Sequence, residues 1–270
     1  MMSGLRALTG REIKKWYKQP FVLFMTIVQP IIWLGLFGKA FNLSALAGDN
    51  PVAREMFLAQ FGVSDYFSYM AVGMFSFVVL FATMFSGMSI VFDRRLGFLS
   101  KVLSTPASRG SVVLSKVLIA VFRSLVQAGI VLAAATALGL QFGAVFHPAY
   151  LLGVFAALFL MSMGMSSLFV AIAIRSTRME THMAVANLLN LPLLFGSNAL
   201  FPIDSMPGWL QAFARVNPVT YATDAARELL LTPRGAVIWG NVANDFLFLG
   251  AFAAVFATIG IVLSWRYLSK

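Results

Sequence analysis

Two histidines, ten carboxylates and no cysteine are all this chain offers for proton transfer, nucleophilic attack or metal binding. Their spacing assembles none of the three. There is no G-x-x-x-x-G-K-[ST] loop to cradle phosphates, no H-E-x-x-H for zinc and no G-x-S-x-G for an acyl-transfer serine. His147 and His182 lie far apart at the ends of apolar runs, where interfacial side chains are expected. Apart from Lys116 and Asp245 at the starts of two apolar runs, only Lys39 and Arg123 are charged within them, each close enough to an end for its stem to carry the charge to the interface. Ion-coupled transporters place more charge at depth. No catalytic, cofactor or metal site is expected in this chain, and its energy source is expected to lie in another one.

The residues with a recognisable task are in VFDRRLGFLSKVLSTPASRG, residues 91–110. Leu96, Leu99 and Leu103, flanked by Phe98 and Val102, form an apolar stripe at helical spacing. Arg94, Arg95 and Lys101 project elsewhere, as solvent-exposed charges. A groove-binding helix has this pattern, with apolar anchors for affinity and charges for register. Thr105-Pro106 stops the helix, because a residue before proline avoids the helical region. Ser111 can cap the element that follows. The plainer alternative is that the arginines only set membrane topology.

The elements that position this segment follow from composition. The chain has 270 residues, of which 60% are hydrophobic and 11% charged, whereas soluble domains carry about 25% charged residues. Six apolar stretches, at about 21–41, 66–92, 112–140, 147–174, 182–201 and 245–265, are long enough to span a bilayer. Fourteen lysines and arginines fall on one side of these spans and four on the other, which puts both termini and residues 93–111 in the cytoplasm. The net charge of +10 is then a topology signal, and no nucleic-acid partner is expected. Residues 1–20 place Leu5, Leu8, Ile13, Trp16 and Tyr17 near one helical face and end at Pro20. That pattern fits an interfacial helix with its aromatics at headgroup level, or else a disordered basic leader.

Phe92-Asp93-Arg94-Arg95-Leu96-Gly97-Phe98-Leu99, continuing through Leu103-Ser104-Thr105-Pro106, resembles the cytoplasmic loop of ABC-2 type transporter permeases. Phe201-Pro202, Met206-Pro207-x-Trp209-Leu210, Asn217-Pro218-x-x-Tyr221 and Arg227 resemble the same family's outer segment before its last span. The branch most similar is that of daunorubicin-resistance drug-export permeases. The sequence departs from the family at Leu96, where an acidic residue is common. The resemblance implies a single all-α membrane domain over residues 1–270: six spans, the interfacial helix, a coupling helix in residues 93–111 and a re-entrant segment at 201–221. It further implies a cytoplasmic ABC ATPase in two copies that holds ATP and magnesium, a second permease copy, and ATPase coupling through Arg94, Arg95, Leu96, Phe98, Leu99 and Leu103.

Pro202, Pro207 and Pro218 break the outer segment into pieces too short to span, leaving either a surface loop or a cap buried in protein or bilayer. The resemblance favours the cap, an outer gate comprising Phe201, Pro202, Pro207, Trp209, Asn217, Pro218 and Tyr221. The aromatic residues of this segment are expected to be buried in the bilayer or against the spans. Polar exceptions in the spans are Gln29, Asn187, Asn190 and Asn198, which serve either as contacts along a pathway or as helix-packing glue. Ser162, Gly164, Ser166 and Ser167 read as a close-packing face. The expected function is export of an amphiphilic compound, such as a drug, across the cell membrane. Export of a lipid or lipid-linked glycan, or a non-transporting scaffold for an ATPase, stand as alternatives.

Overall fold

The computed structural model describes residues 2–18, 31–36, 65–97, 109–176, 178–232 and 236–267, with single positions at 24, 28, 61, 63 and 102. All regular structure among the described residues is helical. In chain order the helices are α1 (Met2–Tyr17), α2 (Tyr66–Arg95), α3 (Arg109–Ala137), α4 (Tyr150–Arg175) and α5 (Met179–Phe195). A 3-10 turn at Ile203–Ser205 then leads to α6 (Gly208–Ala214), α7 (Pro218–Leu231) and α8 (Trp239–Tyr267).

Among the described residues, four helices are long and apolar enough to cross a membrane: Tyr66–Arg95, Gly110–Ala137, Tyr150–Arg175 and Trp239–Arg266. They correspond to four of the six expected stretches. The first stretch, 21–41, lies largely outside the described residues. The fifth is α5, which starts three residues earlier than expected and has 17 residues, about 26 Å at the usual rise. It stops at Phe195 because Pro192 occupies its last turn, and Gly196 N–H closes it on the Pro192 carbonyl at 2.8 Å.

Helices α2 and α4 form the centre, with Phe75, Met70, Leu158, Met161 and Phe169 fully buried between them. Helix α8 packs on α4 but turns Leu247, Val255, Val262 and Trp265 outward, as a lipid-facing helix does. The small-residue face of α4 is a packing face, as its composition suggests. A Cβ on Gly164 would sit 2.4 Å from the Phe252 ring of α8, and Ser162, Ser166 and Ser167 are buried beside it. Ser111 does not cap α3. The helix begins two residues earlier at Arg109, so Ser111 lies inside the first turn.

The α1 end of the bundle gathers the C-termini of α2 and α4 and the N-termini of α3 and α5. The opposite end gathers the N-termini of α2 and α8 together with α6 and α7.

Candidate functional site

Helix α2 ends on Asp93, Arg94 and Arg95, and each of these side chains reaches a different helix. Asp93 accepts a hydrogen bond from Lys116 Nζ of α3, and Lys116 also donates to Glu12 Oε1 of α1 at 2.8 Å. The three side chains are no more than 5% exposed. Withdrawing an ammonium from water is costly, and two carboxylates at contact distance offset that cost. Arg94 donates from Nη1 to the Ser176 carbonyl at 3.0 Å and from Nη2 to the Ile174 carbonyl at 2.9 Å. It therefore caps the C-terminus of α4, where carbonyls lack helical partners and the helix dipole favours a cation. Arg95 pairs with Glu180 of α5 at 3.5 Å in an exposed contact.

Three consecutive residues thus tie α1, α3, α4 and α5 to the base of the segment that follows. Expected as a free charge, Arg94 is half-buried and engaged on the α4 carbonyls. Leu96, expected as the first anchor of an amphipathic helix, instead closes α2. Its N–H bonds the Phe92 carbonyl at 3.0 Å, and Gly97 follows at φ +66°, a left-handed turn open to glycine. The Leu96 side chain is 74% exposed. Phe98, Leu99 and Leu103 lie outside the described residues.

Helix α1 forms, and it docks on protein. Trp16 is buried, edge-on to Phe122 of α3 at 6.1 Å, with the Arg123 guanidinium 5.7 Å above its ring. Trp16 thus faces α3, and it gives Arg123 an aromatic partner. The sequence reading missed Glu12 and Lys116. The available signal was that only Glu12, Asp93 and Glu180 are acidic on a side rich in cations, and each meets a cation from another helix.

At the opposite end, Asn217 joins two helices through one carboxamide. Its Nδ2 donates to the Leu193 and Gly196 carbonyls at 2.7 and 2.8 Å, ending α5. Its Oδ1 accepts from Val219 N–H at 3.0 Å, starting α7 with Pro218 in the first turn. Arg227 reaches the Asn198 and Ala199 carbonyls at 2.7 and 2.9 Å and lies 3.5 Å from the centre of the Tyr69 ring. Asn198 donates to the Asp224 carboxylate. Burial pushes the Asp224 carboxyl above the usual carboxylate range, against the pull of the Arg227 charge. Tyr221 stacks on Phe248 at 3.8 Å and donates to the Arg215 carbonyl at 2.6 Å.

The irregular backbone at 196–200 is thus enclosed in protein and bonded. A Cβ on Gly73 of α2 would fall 1.9 Å from the Ala199 carbonyl oxygen, so glycine permits this close approach. Pro218 and Asn217 are buried, and Pro202 is half-buried. Pro207, Phe201 and Trp209 face outward, Trp209 with 74% exposure. Phe201 and Trp209 therefore do not pack against the spans, one arm of the expectation, whereas Tyr221 stacks on Phe248 of α8 and Phe213 lies against Gly196 at the end of α5.

The polar span residues separate in the structure. Asn190 is buried and donates to Met84 Sδ at 2.9 Å, and Asn198 knits the α5–α7 connection. Asn187 is exposed on the outer face of α5. Gln29 lies outside the described residues. His182 is not interfacial: it is fully buried against Gly87 of α2, where a Cβ would meet its ring at 2.5 Å.

A bundle of long apolar helices with capped, irregular backbone at one end and charge-tied helix ends at the other is a multi-pass membrane protein. Residues 3–231 match the ABC-2 type transporter family, and the chain belongs to it. It is 31% identical over 228 residues to a putative transport permease, ycf38, of Cyanophora paradoxa, covering 83% of this chain and 73% of that one. It is 25% identical to the daunorubicin resistance ABC transporter permease protein DrrB1 of Streptomyces coeruleorubidus, over 89% of this chain and 78% of the relative. A probable doxorubicin resistance permease, DrrC, of Mycobacterium tuberculosis is 23% identical over 86% of this chain and 80% of its own. Members of this family are transport permease subunits, and they work with ABC ATPase partners.

Proposed function

We propose that this chain is the membrane subunit of an exporter that moves an amphiphilic compound out of the cell, driven by ATP and magnesium on a separate ATPase. Two ATPase copies would act on two permease copies in the cell membrane, with both termini and the α1 end in the cytoplasm. Residues 21–41 and α5 would complete six spans, and residues 201–221 would re-enter the outer leaflet with Phe201 and Trp209 against lipid. The observation that carries this reading is the attachment of Asp93, Arg94 and Arg95 to α1, α3, α4 and α5. A force applied to the segment after Gly97 reaches four other helices through side chains already in contact. Leu96, projecting from that junction into solvent, supports a docked partner there. The relatives named for daunorubicin and doxorubicin resistance support an amphiphilic cargo.

The test is co-reconstitution of the permease with its ATPase in proteoliposomes and measurement of ATP-dependent flux of a fluorescent amphiphile. Leu96→Asp and Leu99→Asp are expected to lose the ATPase while the permease still inserts, since a buried unpaired charge is costly. Nucleotide-dependent ATPase binding without flux in the unaltered protein would refute the exporter and leave a scaffold.

A further inference from the structure

At the end of the bundle away from α1, the last turns of α7 and the first turns of α8 enclose a cavity of about 620 Å3. Phe61 and Leu231 contribute apolar wall, and Asp224, Arg227, Glu228 and Asp245 contribute charge. Three of these four ionisable groups are already engaged within the protein. Arg227 holds the carbonyls of Asn198 and Ala199 and stacks on Tyr69. Asp224 accepts from Asn198, and Glu228 Oε1 accepts from the Ile238 N–H at 2.7 Å.

Asp245 differs from all of them. It is only 8% exposed, it lines the cavity, and it has no hydrogen-bond or ion-pair partner among the described residues. A buried carboxylate without a partner is among the costliest groups a fold can hold, so such groups mark sites that something else completes. With three carboxylates against one guanidinium among the described residues of the lining, the charge of the cavity favours a cation.

The geometry separates a metal ion from an organic cation. Among the described residues no three Asp, Glu, His or Cys side chains converge as a metal site. The volume lies within the range of about 300–1,000 Å3 typical of pockets for small organic molecules, far beyond what one ion fills. The apolar wall beside the carboxylate would be wasted on a bare ion and suits a carbon body. We infer that this cavity binds an organic cation, its ammonium group on Asp245 and its apolar body against Phe61 and Leu231. The inference concerns binding alone and stands apart from the transport reading, because it is measured on the permease without ATPase or ATP. An amphiphilic amine in solution and the ethanolamine headgroup of a phospholipid both carry this chemistry.

The experiment is a fluorescence titration of the full chain in dodecyl maltoside with dansylcadaverine, a primary amine on an apolar ring. Saturable binding is expected, weakened at least about tenfold in Asp245→Asn, which keeps the side-chain shape and loses the charged hydrogen bond. Asp245→Glu should restore binding, and neutral dansylamide should not distinguish the variants. Unchanged tryptophan emission in Asp245→Asn shows that the fold is intact. Displacement of the probe by added phosphatidylethanolamine assigns the ammonium to a lipid headgroup, and persistence of the probe assigns it to a soluble amine. Equal affinity of the native protein and Asp245→Asn would overturn the inference. Displacement by millimolar calcium, in the native protein only, would overturn it in favour of a metal site.

Discussion

Lys116→Met removes the one cation shared by Glu12 and Asp93 and keeps a side chain of similar length. The variant takes the shared cation from two carboxylates, each no more than 5% exposed, and leaves Glu12 its contact with Arg11 at 3.3 Å. Removing one partner of a buried ion pair typically costs about 3–5 kcal/mol, because the remaining charge is stranded out of water. In a chain of this size that corresponds to a fall in midpoint of roughly 10 °C. The decisive comparison is the triple variant Glu12→Gln, Asp93→Asn, Lys116→Met, which removes all three charges. Uncharged groups of the same shape often replace a buried ion network without loss, so the triple variant should recover most of the stability. Thermal unfolding in detergent, followed by intrinsic fluorescence, reads both effects. Trp16 packs on Phe122 beside this triad, so release of α1 in Lys116→Met should also shift its emission to the red. A single variant as stable as the native protein, or a triple variant worse than the single, would refute the argument that Lys116 offsets two buried charges.

Gly73→Ala should destabilise by at least about 3 kcal/mol, since the new methyl meets the backbone oxygen of Ala199 and not a yielding side chain. Gly240→Ala, with nothing within 4 Å of its Cβ, is the control and should leave thermal unfolding unchanged. Asn217→Ala should cost about 2–4 kcal/mol by unfolding assay, from a lost helix cap and two carbonyls left without donors. Asn217→Asp keeps the cap acceptor but sets a buried carboxylate oxygen against two carbonyls, so its loss should be at least as large as that of Asn217→Ala.

Much of the fold was legible because a bilayer leaves few options. Long apolar runs gave four of the helices within a few residues, and three prolines marked where helix could not continue through the segment after α5. What escaped the reading depended on contacts between elements distant in sequence. Nothing near Lys116 in the chain distinguishes a topology-setting lysine from one held by Glu12, a residue 104 positions away. Arg94, expected as a solvent-exposed charge, has backbone carbonyls as its acceptors, which no side-chain pattern reveals. Leu96 fitted the apolar stripe by spacing, but Gly97 breaks the helix there, and the stripe alone cannot show that. Asn190 and Asn198 stand out in the sequence as polar exceptions, but their partners Met84 and Asp224 lie 106 and 26 positions away.

The two ends of α5 are held with different strengths. At its N-terminus the ion pair between Arg95 and Glu180 is exposed on both sides, and such pairs contribute about 0–1 kcal/mol. At its C-terminus Asn217 satisfies two carbonyls of the connection in buried hydrogen bonds, each costly to leave unmade. Between these ends only His182, Ala186, Asn190 and Leu194 are buried, along one stripe that packs on α2, while Leu188, Leu191 and Phe195 face away. Moving the N-terminal half of α5 therefore disturbs one weak ion pair and the contact of His182 with Gly87, whereas moving the other end breaks the Asn217 junction. The tie from α2 to α5 at Arg95 is accordingly the most easily altered of the three at this junction. The ties at Asp93 and Arg94 hold α1, α3 and α4 more firmly, because their hydrogen bonds lie in buried or half-buried surroundings.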